Sequence, residues 1–226
     1  MEGDKMRKYS KIQSIFKRVQ EGGPDKGKMI DGAWTKPEFE LLKDLKWEAT
    51  EKIDGTNIRV DWDGEKVTFG GRTDKAQIPA HLVARLMDLF SVEKFATINA
   101  ARDEPLPPMT IFGEGYGEKI QAAGKDYMPN GGVDLILFDV WAGSSWWSRD
   151  AVQYMAGLFG LDTVQDAGPM TLEESIAHVE GGFRSNMGIG MAEGLVLRAP
   201  LGLCDHNGSR LIVKVKTRDF VRGMVQ

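Results

Sequence analysis

The residues best suited to chemistry sit in the run Glu51, Lys52, Ile53, Asp54, Gly55, Thr56 and Asn57. A lysine attacks an electrophile only as the free amine, yet lysine is ordinarily an ammonium group, with a pKa about three units above neutrality. Nearby cations or burial disfavour that charge. The sequence offers the cations far along the chain, as Lys214 and Lys216, which flank Val215 and project to one face if that segment is a strand. Further polar groups stand beside glycines: Arg72 after Gly70-Gly71, Glu114 between Gly113 and Gly115, and Glu193 before Gly194. Glycine permits close backbone approach to a ligand, so these carboxylates are candidates for holding one. Taken singly, each of them is an ordinary surface charge, and Lys52 beside Asp54-Gly55 is a surface lysine next to a turn.

Strands must hold these side chains. Trp47, Ala49, Glu51 and Ile53 alternate with Glu48, Thr50 and Lys52, the period of two expected of a strand, which puts Lys52 at its end. Ile58, Val60 and Trp62 continue to Asp63-Gly64, a two-residue hairpin signal, and Val67 and Phe69 carry the return. Met109 to Gly117 and Val133 to Trp141 read as two strands, the second apolar enough to be buried on both faces. Glu193 to Ala199 and Arg210 to Lys216 read as two more. Helices are expected after Pro37, from Pro79 to Ala101, from the cap Ser148 to Gly160, and from the capping box of Thr171 and Glu174 to Val179. Ile12, Ile15 and Phe16 have near-helical spacing among cations, in a segment that either covers the sheet or holds a phosphate. Strands interleaved with hairpins and few helices predict an α+β fold of largely antiparallel sheets, rather than a doubly wound parallel one.

At 226 residues, with 42% hydrophobic and 27% charged residues, one sizeable globular domain is expected. Residues 1–46 form an N-terminal cover, 47–216 the motif-bearing core and 217–226 a short basic tail. No apolar run reaches membrane-spanning length, and Met1 to Lys5 opens no export signal. A lone cysteine, Cys204, and three scattered histidines give neither an internal disulfide nor a zinc site, which fits a reducing cytoplasm. Net charge is −4, against a nucleic-acid coat, but both ends are basic: Lys5, Arg7, Lys8, Lys11, Lys17, Arg18, Lys26 and Lys28 at one, and Arg210, Lys214, Lys216, Arg218 and Arg222 at the other. That distribution points weakly to a polyanionic partner.

In chain order the candidates are Lys52 to Asn57, Arg72, Phe112-Gly113-Glu114, Leu137-Phe138-Asp139, Glu193-Gly194-Leu195-Val196 and Lys214-Val215-Lys216. This series resembles the motifs of the covalent nucleotidyltransferases, and within them the phage-type RNA ligases related to the T4 nick-sealing RNA ligase. The resemblance implies a nucleotidyltransferase domain and an ATP-dependent RNA ligase joining 3'-hydroxyl to 5'-phosphate ends. It makes Lys52 the nucleophile that takes AMP from ATP, with Lys214 and Lys216 as the phosphate clamp. Glu51, Ile53, Glu114, Phe138 and Val196 would bind the nucleotide, Glu114 at the ribose and Phe138 and Val196 at the adenine. Asn57 and Arg72 would contact RNA or phosphate, and Glu193 and Asp54 would hold Mg2+ or Mn2+ through water.

Thr56-Asn57 after the lysine motif looks like the RNA-ligase form, whereas DNA ligases more often carry an arginine soon after the glycine. The ten residues after Lys216 are too few for the appended oligonucleotide-binding domain of many relatives. A minimal, monomeric enzyme acting on nicked or single-stranded RNA is therefore expected, without membrane association, cytoplasmic in its host cell if phage-encoded, and with a helper protein as a candidate further partner. The competing readings are a DNA nick ligase, a GTP-dependent mRNA-capping guanylyltransferase, and a non-catalytic nucleic-acid-binding relic of the fold.

Overall fold

Ile12, Ile15 and Phe16 have the spacing of a helix face, but the segment is extended in the computed structural model of the chain, which describes residues 7–221 and 223–225. Its strands β1 (Gln13–Ser14) and β2 (Phe16–Arg18) pair with distant or later strands, and Ile15 and Phe16 are buried. Pairing to a pre-existing sheet edge overrides a weak local period. β3 (Met29–Trp34) runs antiparallel to β2, and α1 (Pro37–Leu41) opens on its proline and buries Phe39. β4 (Trp47–Glu51) leads into Lys52. β5 (Thr56–Trp62) and β6 (Val67–Gly71) form the expected hairpin, but Trp62 pairs with Val67, so the loop is longer than two residues. The Asp63 carboxylate shapes that loop by accepting from the backbone N–H groups of Glu65 and Lys66.

The single helix expected from Pro79 to Ala101 is two, α2 (Ala80–Leu89) and α3 (Val92–Ala100), because Ser91 starts a new helix by accepting from the Lys94 N–H. There follow β7 (Met109–Gly117), α4 (Gly124–Tyr127), β8 (Val133–Ala142), β9 (Ser145–Trp146) and α5 (Arg149–Phe159). β10 (Asp166–Met170), α6 (Leu172–Glu180), β11 (Gly194–Arg198), β12 (Ile212–Lys216) and α7 (Thr217–Val221) complete the order. The expected caps are present: Ser148 accepts from the Ala151 N–H, Gly160 ends α5 in the left-handed region, and Thr171 with Glu174 closes a capping box.

The chain divides into two compact units. The lysine unit comprises Ser10–Ile53 and the residues from Gln165 on; the meander unit comprises Asp54–Val164 and the residues up to Tyr9. In the lysine unit a five-stranded sheet runs β1-β12-β11-β4-β10, antiparallel apart from the parallel pair β1 and β12. One of its faces buries Trp47, Ala49, Leu195, Leu197, Val213 and Val215 against Phe39, Leu172 and Val179. In the meander unit the sheet runs β6-β5-β7-β8-β9, antiparallel throughout, and α2 and α5 pack on β8. Its core joins Ile58, Val60, Ile111 and Val140 to Leu82, Leu86, Phe95 and Phe159. Antiparallel sheets flanked by helices are the α+β class that the sequence predicts. Lys5 and Arg222 of the basic ends, with the opening residues Met1 to Lys5 and the final Gln226, lie outside the described residues.

Candidate active site

In the lysine unit, strand register decides which side chains meet. Ser14 is opposite Lys214, Lys214 opposite Val196, and Val196 opposite Thr50, so these four share a face; Val213, Val215 and Leu195 point the other way, into the core. The Lys216 and Gly194 pair follows two residues on, and the Lys52 N–H donates to the Gly194 carbonyl at 2.9 Å. The Thr217 N–H holds the Glu193 carbonyl at 3.0 Å. Backbone pairing thus fixes Lys52, Glu193 and Lys216 together before any side chain interacts. Gly194 is needed there: its φ is +146°, and a β-carbon would run into the Val215 carbonyl and the Lys216 α-carbon.

The side chains complete the cluster. Lys52 Nζ donates to Glu193 Oε2 at 2.6 Å and to the Ile53 carbonyl at 3.1 Å, and Lys216 Nζ donates to Glu193 Oε1. Lys52 is only 19% exposed, so its amine is not a solvated surface group. Burial works to raise the pKa of Glu193, but the Lys52 charge and the hydrogen bonds from Lys216 and Lys52 outweigh it and hold the carboxyl below its usual range. Lys214 makes no ion pair among the described residues. Burial, then repulsion from Lys216 and Lys52, pushes its pKa down to about 8, against the pull of Glu193. Three amines around one carboxylate leave a surplus of positive charge on a partly dry surface, the electrostatics of an anion site.

Glu51 stands apart from that face. It shares strand parity with Trp47 and Ala49, is 2% exposed, and accepts from Ser185 Oγ at 2.5 Å and the Asn186 N–H at 2.8 Å. Its carboxylate anchors the segment before β11 from the core side of the sheet. The parity of the strand carried that information in the sequence; the partners Ser185 and Asn186 had no signal. Ile53 is buried and contributes its carbonyl to Lys52.

The meander unit gathers a second group. Asn57 lies opposite Glu114 across β5 and β7, and β6 ends at Gly71, paired with Ile58, immediately before the exposed Arg72. Asn57 Oδ1 is buried without a hydrogen-bond partner among the described residues. Gly55 packs so closely on Glu114 and Gly115 that a β-carbon would overlap both. The Asp54 N–H donates to Tyr127 Oη at 3.1 Å. Phe138 occupies a bulge: Phe112 pairs with Asp139 but Gly113 with Leu137, which leaves Phe138 as the extra residue. A bulge re-aims the side chain it carries, and Phe138 is half-buried while Leu137 and Asp139 on either side are buried. Tyr9 meets the Phe138 ring edge-on at 5.1 Å and donates to Asp139 Oδ2 at 2.8 Å. No sequence pattern announced either the bulge or the Tyr9 contact.

Among the described residues no three of histidine, cysteine, aspartate and glutamate converge as a metal site. Both oxygens of Glu193 are engaged by ammonium groups, so the donor set does not form an all-protein cage. It fits a hydrated Mg2+ or Mn2+ that also binds substrate phosphates, since magnesium sheds its water reluctantly.

What this geometry defines is a group of lysines crowded around one carboxylate where the antiparallel strands β4, β11 and β12 meet. The RNA ligase family model matches residues 45–216, and the chain belongs to the RNA ligase family. Among solved structures, it is similar to the RNA ligase of Naegleria gruberi. A point mutant of that enzyme with ATP and Mn superposes with a TM-score of 0.61 at 19% identity, covering 82% of this chain and 53% of that one. Its complex with PPi gives 0.61 at 20% identity over 82% and 53%. A mutant with AMP and Mn gives 0.61 at 19% over the same shares. The chain thus spans about half the length of these relatives and shares their fold. No curated protein matches its sequence.

Proposed function

We propose that this chain is an ATP-dependent RNA ligase that joins 3'-hydroxyl and 5'-phosphate ends through a lysyl-AMP and an adenylylated RNA. The observation that carries the reading is the Lys52, Glu193, Lys216 and Lys214 cluster: a shielded amine tied to a carboxylate and surrounded by further positive charge. Family membership and relatives solved with ATP, AMP and PPi support it.

In the first step Lys52 Nζ leaves Glu193, gives up its proton and attacks the α-phosphorus of ATP. The nitrogen–phosphorus bond forms as the bond to pyrophosphate breaks. Lys214 and Lys216 hold the charge that develops on the phosphate oxygens, the electrostatic stabilisation on which phosphoryl-type transfer depends. A divalent ion, held by Glu193 and Asp54 through water, would neutralise phosphate charge. In the second step a 5'-phosphate oxygen of RNA attacks the same phosphorus and releases Lys52. In the third, a 3'-hydroxyl attacks the activated 5'-phosphate and AMP departs.

Val196 pairs with Lys214 across β11 and β12, which supports reading it as the residue that closes on the base. The motif order assigns the adenine to Phe138, the ribose to Glu114, and RNA or phosphate contact to Asn57 and Arg72. Glu51 and Ile53 serve the nucleotide indirectly, by fixing the segment before β11 and the position of the lysine amine. We take residues 47–216 as the motif-bearing core, and the enzyme as a cytoplasmic monomer acting on nicked or single-stranded RNA, with any helper protein supplying further grip. Among the described residues no helix is long and apolar enough to cross a membrane.

The test is covalent labelling. Protein incubated with α-labelled ATP and a divalent metal, then denatured, should carry label that Lys52→Ala abolishes. Labelling by GTP alone would indicate a capping enzyme, sealing of DNA in preference to RNA a DNA ligase, and no labelling a binding relic.

A further inference from the structure

A pocket of about 450 Å³ opens between the N-terminal strands and β12 of the lysine unit. Six cations line it: Lys11, Lys17, Arg18, Lys214, Lys216 and Arg218. Asp219 is the acid among the lining residues, and its charge is already spent, because Arg18 donates to it at 2.6 Å with the carboxylate 2% exposed. Arg18 is further fixed by the Gly27 carbonyl at 2.9 Å and Ser14 Oγ at 3.2 Å, which makes it a strut of the wall. Lys216 is bound to Glu193. Lys11, Lys17, Lys214 and Arg218 have no ion pair among the described residues. In a chain of net charge −4 this is a concentrated positive field, and Lys11 lies close enough to Lys214 to contribute to its lowered pKa.

We infer that this pocket binds the phosphates of the RNA strand that bears the 5'-phosphate, delivering that end to the lysine cluster; the inference rests on the ligase reading above. Lys214 and Lys216 belong to both the cluster and the pocket, so a phosphate held at the inner end lies beside the groups that clamp the reacting phosphate. Lys11, Lys17 and Arg218 are exposed at the rim, in line with an occupant that continues out into solvent as a polymer does. The volume exceeds the needs of one phosphate group. Pairing of β1 with β12, Ser14 opposite Lys214, fixes the N-terminal wall to the catalytic strand.

Pyrophosphate shares this chemistry, and the experiment separates the two. The full chain and its K11A/K17A/R218A variant are compared for binding of a short labelled 5'-phosphorylated single-stranded RNA across a salt series, and for the rate of lysyl-AMP formation from ATP. K11R/K17R/R218K, which keeps the charges, controls for folding. We expect RNA affinity to fall at least tenfold in the alanine variant, the slope of log affinity against log salt to shrink by about two for three cations removed, lysyl-AMP formation to be unchanged, and the charge-retaining variant to bind RNA. Unchanged RNA binding and slope overturn the inference. So does a loss of lysyl-AMP formation in the alanine variant, which would give the pocket to the triphosphate of ATP instead. A wild-type chain that binds RNA through these residues but never forms lysyl-AMP would sink the ligase reading and leave the pocket standing.

Discussion

The meander unit builds its sheet from strands that are largely neighbours in the chain, β6, β5, β7, β8 and β9, whereas the lysine unit draws β1, β4, β10, β11 and β12 from opposite ends of the sequence. The first packs aromatic rings deeply, with Trp62 and Phe95 stacked at 4.2 Å between centroids and Phe159 beside Phe95. It closes around a buried Arg59, which donates to the Gly71 carbonyl and to Asp74. The second covers one sheet face with an apolar core and leaves amines crowded on the other. Like charges that repel must be held by a frame they do not choose, and strands remote in sequence can meet only if the core on the far side draws them together. The lesson of the contrast is that aromatic packing carries the meander unit, while the lysine unit spends stability on electrostatic crowding.

The contrast can be broken at its strongest point first. Phe95→Ala empties a fully buried, stacked position and should cost about 3–5 kcal/mol in urea unfolding. A loss below that of any lysine-unit substitution would reverse the assignment of strengths. Gly194→Ala forces a β-carbon into the backbone of β12 at a φ that side chains avoid, and roughly 3 kcal/mol should be lost, with covalent labelling falling alongside. Glu193→Gln leaves Lys52 and Lys216 without their shared carboxylate; stability should drop by about 2 kcal/mol, discounted from a fully buried pair because all three groups retain some exposure.

The pH dependence sharpens the electrostatic half. Lys214 discharges as pH rises through about 8, so pyrophosphate binding should weaken by up to about tenfold above that value, and Lys214→Arg should remove the effect. Stability runs the other way. The folded value lies below the ordinary 10.5, so between the two the unfolded chain binds more protons, and this group's contribution climbs as pH rises from about 8 towards 10.5. The smallest expected change is Thr171→Ala, which removes one half of an exposed capping box and should cost about 1 kcal/mol by thermal or urea melting.

Legibility followed the same division. Local strand patterns gave β5, β6, β7 and β8 of the meander unit, though not the two-residue β9, together with the β4, β11 and β12 segments, and cap residues gave α5 and α6, because those signals are local. The break at Ser91 was missed because the apolar spacing continues across it, and the strands β1 and β2 were missed because a partner far away in sequence decides their conformation. For the site, Lys214 and Lys216 on one face followed from alternation. The 2.6 Å bond from Lys52 to Glu193 did not, since it depends on how β4 meets β11, a register that no local pattern encodes. The Phe138 bulge and the Ser185 contact to Glu51 are likewise products of register.

The parallel pairing of β1 with β12, and the antiparallel pairing of β4 with a strand some 140 residues later, have a consequence for synthesis. A nascent chain leaving the ribosome has no complete sheet around Lys52 until residue 216 has emerged, because the strand carrying Lys214 and Lys216 is made after every other strand of that sheet. Truncated translation products would therefore expose the amine without its surroundings and stay chemically silent.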